Sequence, residues 1–151
     1  KNVHAYIMGE HGDSSFVPWN HANVACKKMT EIMKDNKHPM SDLEKIYTEV
    51  QQAAYEIINR KKATYYGIGL GLTKIIKAIL NDQNEIMTVS TYLKGEYGHE
   101  GLYIGVPTII NRKGAREVLE LPLEGDEKAK FDKSCETLMS MKGEIDKVIK
   151  G

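Results

Sequence analysis

The β-rich residues of this chain are gathered into one block with helical patterns on either side, and that ordering constrains the fold more than any other feature. Glu85–Leu93 alternates and is rich in β-branched residues, Gly95 and Gly98 mark a turn, and Leu102–Ile110 reads as a second strand despite Pro107. Asn111-Arg112-Lys113-Gly114 is a hairpin signal, and Arg116–Leu121 returns from it, which makes an antiparallel meander. Strands grouped between helices, with no βαβ alternation, predict an α+β domain in which a twisted antiparallel sheet packs against long helices.

The helices themselves are marked by period. Ser41-Asp42-Leu43-Glu44 has the form of a capping box, with Ser41 as the N-cap. Behind it Leu43, Ile46, Tyr47, Val50, Ala53, Ala54, Ile57 and Ile58 form one apolar stripe, shallow at the two alanines, and Arg60-Lys61-Lys62 suits a helix C-terminus. A second helix is expected over Tyr66–Leu80, with Ile68, Leu72, Ile75, Ile76 and Ile79 on its buried side and Asn81-Asp82 stopping it. A long helix from Asp126 carries Phe131, Cys135, Leu138, Ile145 and Ile149 on one side.

At the other end, Asn2–Met8 reads as a strand bounded by Gly9, Phe16–Asn20 as a short extended run limited by Pro18, and 21–40 as mixed and largely exposed. Between Gly9 and Gly12 stands His11, with Glu10 and Asp13 close by. Glycine lets the backbone turn sharply, and imidazole is the side chain whose unperturbed pKa, about 6.5, lies nearest neutrality. Two readings fit equally: an acid–base group held at a strand end, or an ordinary hydrogen-bonded loop histidine.

Lys+Arg and Asp+Glu both number 21 in 151 residues, so the chain carries no electrostatic footprint for nucleic acid or an anionic membrane. No apolar run approaches the ~20 residues that span a bilayer, and no signal peptide opens the chain. The two cysteines, Cys26 and Cys135, are spaced for neither a disulfide framework nor a zinc site, which predicts a reducing, cytoplasmic setting. Lys1 stands inside what reads as strand, as expected of a fragment. One domain of this length buries roughly 68–70% of its unfolded surface.

Several tempting motifs fail on physical grounds. Gly67-Ile68-Gly69-Leu70-Gly71 lacks the third glycine of a dinucleotide-binding loop, since position 72 is Leu72, and it follows a helix rather than a strand. His4 and His11, seven residues apart with no thiolate nearby, match no common zinc arrangement, so no metal is expected. His99-Glu100 reads as a solvated turn pair, Trp19 as core or interface, and Tyr65-Tyr66 as divided between packing and a hydrogen bond.

A resemblance gives His11 a complete role. Val3-His4-Ala5-Tyr6-Ile7-Met8-Gly9-Glu10-His11-Gly12-Asp13-Ser14-Ser15, continuing to Val17-Pro18-Trp19-Asn20, resembles the active-site segment of the bacterial L-lactate dehydrogenases. The likeness continues through Ala53-Ala54-Tyr55-Glu56-Ile57-Ile58, Lys62-Ala63-Thr64-Tyr65-Tyr66-Gly67-Ile68 and Tyr103-Ile104-Gly105-Val106-Pro107, and so covers the chain in order, as the C-terminal half of such an enzyme. It implies His11 as the proton acceptor and donor, Thr64 in the substrate pocket and Ile68 against the nicotinamide ring of NAD. It also implies His4 in an effector site for fructose 1,6-bisphosphate at a subunit boundary, beside the alternative of an interface histidine with no ligand.

The same resemblance implies lactate and pyruvate as substrates, a homotetrameric parent enzyme, and an N-terminal NAD-binding Rossmann domain outside these residues. The glycine-rich nucleotide fold, the aspartate that orients the histidine and the arginines that hold substrate would lie there, so the isolated chain is expected to be inactive. Asp13 is not promoted to the orienting aspartate for being near His11. Two further readings stand beside this one: a malate or other 2-hydroxy acid dehydrogenase, and a module used for assembly only.

Overall fold

A computed structural model describes residues 2–150, apart from the side chains of Asp146, Lys147 and Lys150. Among the described residues the strands fall into two three-stranded antiparallel sheets. The smaller one pairs β1 (Val3–His4), β2 (Asn23–Val24) and β3 (Lys27–Lys28) in that order, with Val3 opposite Val24 and Asn23 opposite Lys28. The larger one is the expected meander of β4 (Glu85–Lys94), β5 (Glu100–Asn111) and β6 (Gly114–Val118). Its register runs from Glu85 opposite Ile110 to Tyr92 opposite Tyr103, then shifts before Lys94.

Pro107 sits in the central strand without breaking it. The N–H and C=O of a strand residue point the same way, and the Pro107 carbonyl accepts from the Leu119 N–H at 2.8 Å. The missing donor therefore faces the side on which β6 has just ended at Val118, so no interior ladder bond is lost.

Among the described residues there are four α-helices: α1 (Met29–Asp35), α2 (Ser41–Lys61), α3 (Tyr66–Leu80) and α4 (Gly125–Lys150). None of them is long and apolar enough to cross a membrane. The mixed stretch after His21 resolves into the β2–β3 hairpin and α1. The expected strand Asn2–Met8 is paired only at Val3–His4 and again at Met8–Gly9, because its later partners, Phe16 and Gly105, come from different parts of the chain. Of the extended run Phe16–Asn20, Phe16 pairs with Met8, but Trp19–His21 is one turn of 3-10 helix. Ser41 lies inside the first turn of α2, whose cap residue is Met40 with no side-chain capping bond, so the capping box does not form. At the end of α2, Lys62 adopts a left-handed conformation (φ +65°) and its N–H closes on the Ile58 carbonyl at 2.7 Å.

The core lies between the larger sheet and α4. Phe131 and Cys135 of α4 pack with Leu93, Leu102, Ile104 and Val106 of the sheet, and with Met8 and Phe16 beside the His11 loop. A smaller cluster joins Ala78 of α3 to Met87 and Ile110, with Ile75 and Ile79 packed against it. Ile68, Leu72 and Ile76 of the expected buried face are exposed, as are Ile46, Val50, Ile57 and Ile58 of α2, where Leu43 alone is buried. Ile145 and Ile149 of α4 are likewise exposed. Periodicity finds an apolar face but not whether this chain covers it.

The tip of the β4–β5 hairpin is tied to α4 by charge. Asp132 Oδ1 lies 2.6 Å from His99 Nε2 and also accepts from Lys128, while Lys142 Nζ donates to the Gly101 carbonyl at 2.9 Å. Burial favours the protonated Asp132 carboxyl, but the bonds from His99 and Lys128 outweigh it and hold the group below the ordinary carboxylate range. A group with a depressed folded pKa stabilises the fold above its unfolded value, about 3.9, and loses that contribution as pH falls through the folded pKa. Asp132→Asn is therefore expected to lower the stability at neutral pH by less than about 1 kcal/mol, because the pair is partly solvated, and with it the thermal midpoint. The difference from the parent chain should shrink below about pH 4 in thermal scans run across pH.

Candidate functional site

The His11 loop is held where strand pairing ends. Met8 and Phe16 exchange backbone bonds of 2.8 and 3.0 Å, and Gly9 and Gly105 exchange bonds of 2.9 and 3.0 Å, so the turn is closed on itself and fastened to β5. Gly9 has φ +99°, a conformation side chains avoid, and a Cβ there would lie 2.6 Å from Ser134 Oγ. A Cβ on Gly105 would lie 2.8 Å from the Gly9 carbonyl oxygen, inside the space the bridge needs. Gly9 is required by its positive φ and by the Ser134 side chain against it, and Gly105 by the close approach of two backbones.

Three further contacts fix the loop. Ser134 of α4 accepts the Glu10 N–H at 2.6 Å and stands 3.1 Å from Ser14 Oγ, which donates to the Glu10 carboxylate. Ser15 Oγ donates to the Gly12 carbonyl at 2.8 Å. From α2, the Tyr47 hydroxyl lies 2.8 Å from Ser15 Oγ and donates to the Ser15 carbonyl. The acids beside His11 are thus divided: Glu10 is engaged within the loop, and exposed Asp13 faces the α2–α4 side. Among the described residues, no carboxylate lies within ion-pair distance of the His11 ring.

His11 itself is exposed on this fixed turn. It lines a depression of about 800 Å³ with Ile7, Ser15, Thr88, Ser90 and Tyr103. The other candidate residues stand elsewhere. His4, exposed on β1 opposite Asn23, lines a different depression of about 880 Å³ with Tyr6, Lys74, Ile75 and Glu85. Thr64 is exposed in the connection between α2 and α3, and Ile68 is exposed at the start of α3; neither lines the His11 depression. Gly67, Gly69 and Gly71 are helical, and a Cβ on any of them would meet nothing within 4 Å.

Sequence patterning missed three supports of the turn. Tyr47 reads as one more member of the α2 stripe, and Gly105 as part of a strand motif. Ser134 gives no local signal, because it meets Glu10 across 124 residues of chain.

Residues 1–149 match the family model for the lactate/malate dehydrogenase alpha/beta C-terminal domain. Over 138 residues the chain is 52% identical to an L-lactate dehydrogenase 1 of Bacillus cereus, covering 91% of this chain and 44% of that protein. Among solved structures, the minor L-lactate dehydrogenase from Enterococcus mundtii in its ligands-bound form superposes with a TM-score of 0.87 at 47% identity, over 92% of this chain and 45% of that one. A Plasmodium falciparum malate dehydrogenase in complex with NADH superposes with a TM-score of 0.90 at 28% identity, over 99% and 50%. The chain thus spans about half the length of the relatives it matches. With a family model matching residues 1–149 and a relative 52% identical over 91% of this chain, the chain belongs to the lactate/malate dehydrogenase C-terminal domain family.

Proposed function

We propose that this chain is the C-terminal, substrate-binding half of an NAD-dependent L-lactate dehydrogenase, with His11 exchanging a proton with the substrate oxygen. The observation that carries the reading is the exposed His11 ring at the edge of a depression, on a turn fixed by β5, α2 and α4, in a chain 52% identical to a protein named L-lactate dehydrogenase. In the oxidising direction the neutral imidazole takes the proton of the 2-hydroxyl group. In the reducing direction the imidazolium polarises the ketone and returns the proton. Thr64, exposed in the α2–α3 connection outside the His11 depression, is assigned the hydroxyl that faces the substrate.

The described residues fit one part of NAD. Ile68 presents an exposed branched apolar side chain suited to the face of a pyridine ring, whereas the helical Gly67–Gly71 run offers no cradle for phosphate. When bound, NAD supplies the hydride acceptor or donor. Its phosphates, the partner that orients the imidazole and the cations that hold the substrate carboxylate belong to the part of the relatives that these residues do not span. The 151 residues alone therefore neither bind NADH nor turn over substrate. His4 belongs to an effector site for fructose 1,6-bisphosphate, and the exposed stripes of α2 and α3 support a homo-oligomeric parent enzyme. Free Cys26 and Cys135 suit a reducing cytoplasm.

The test is an assay of the full-length chain with NADH and pyruvate, oxaloacetate or longer 2-keto acids. Pyruvate is expected to give the highest kcat/KM. A preference for oxaloacetate would make the protein a malate dehydrogenase, and no reduction of any keto acid would leave assembly as its role.

A further inference from the structure

We infer that Ser134, on the buried side of α4, is a positioning residue for His11, acting through a closed ring of hydrogen bonds that begins and ends on Glu10. This rests on the reading of His11 as the proton-transfer group.

The direction of every bond in the ring is dictated by chemistry. The Glu10 backbone N–H can only donate, and it donates to Ser134 Oγ at 2.6 Å. The Glu10 carboxylate, when ionised, can only accept, and it takes the Ser14 hydroxyl proton. With that proton committed, the 3.1 Å contact between the two serines is made by Ser134 donating to Ser14. Each hydroxyl gives one bond and takes one, and the bond to the carboxylate is charge-assisted.

The ring adds the one restraint that strand pairing leaves out. The Gly9 N–H and C=O are bonded to Gly105, and the N–H that follows them is bonded to Ser134, so successive polar groups leading into His11 are fixed by two separate elements. Ser134 is fully buried, and its Oγ lies where a side chain on Gly9 would have to be. The hydroxyl is therefore shielded from bulk solvent in the parent chain. Removing it leaves the Gly9–Glu10 peptide held only through the bond of its carbonyl to Gly105, and a displacement on the order of 1 Å at a reacting group can cost about 10²-fold in rate.

The experiment uses the full-length enzyme. Ser134→Ala is expected to lower kcat by roughly 10- to 100-fold with KM held within about threefold, the pattern of lost transition-state alignment. Ser14→Ala should repeat that loss and Ser14→Thr, which keeps the hydroxyl, should restore it, so the ring is tested even where Ser134→Ala does not fold. In the full-length enzyme, amide hydrogen exchange should show a protected Glu10 N–H that Ser134→Ala exposes. The inference is overturned if both alanine variants keep kcat and lose only thermal stability, or if the Glu10 amide is unprotected in the parent chain. His11→Gln run alongside separates the two levels. Turnover lost in His11→Gln but kept in the serine variants removes the positioning role alone, and turnover kept in His11→Gln removes the proton-transfer reading together with it.

Discussion

His11→Gln in the full-length enzyme is expected to lower kcat for pyruvate reduction by about 10²- to 10⁴-fold, the span typical of a general acid–base group. Glutamine keeps a hydrogen-bonding end of similar reach but cannot take and return a proton near neutral pH. The substitution therefore isolates proton transfer from binding, and KM should change far less than kcat. The fold is expected to tolerate it. The His11 side chain is exposed and makes no hydrogen bond among the described residues, so its loss leaves no buried group unpaired. Steady-state kinetics beside a thermal scan decide the matter: a variant with an unchanged midpoint and turnover within twofold of the parent would sink the assignment.

The second large effect lies away from the depression. Phe131 is fully buried in α4, and its ring meets Tyr97 at 4.6 Å, His99 at 6.0 Å and Phe16 at 6.5 Å. Those three neighbours come from the hairpin tip and from the strand opposite Met8, so one side chain joins α4 to both the larger sheet and the His11 turn. Phe131→Ala is expected to cost about 3–5 kcal/mol, from lost transfer free energy and the cavity left behind. That is a large share of the roughly 5–15 kcal/mol that holds a domain folded. Urea unfolding of the 151-residue chain measures it directly, and a loss under about 1 kcal/mol would show that the neighbours collapse into the space.

Those two residues also show what could be read without coordinates. His11 announces itself locally, because the glycines around a tight turn and the imidazole between them are neighbours in sequence. Phe131 is found by helical spacing, which places it with Cys135 on the buried side of α4. The same spacing takes in Ile145 and Ile149, which are exposed, and it sets Ile46, Val50, Ile57 and Ile58 of α2 in an apolar face that is uncovered among the described residues. The capping box at Ser41 fails for a related reason: the motif states a preference, and one residue's shift in the helix start leaves Ser41 inside the first turn.

The amino-acid sequence by itself determined the α+β class, the span of α3, the meander and the candidate histidine, because each is a matter of short-range period, turn chemistry or residue type. Only the tertiary structure decided which apolar faces are buried, how the first strand breaks between two sets of partners, and what holds the His11 turn. Ser134, Tyr47 and Gly105 reach that turn from α4, α2 and β5, and a hydrogen bond or close backbone approach between distant segments leaves no periodic trace in either one.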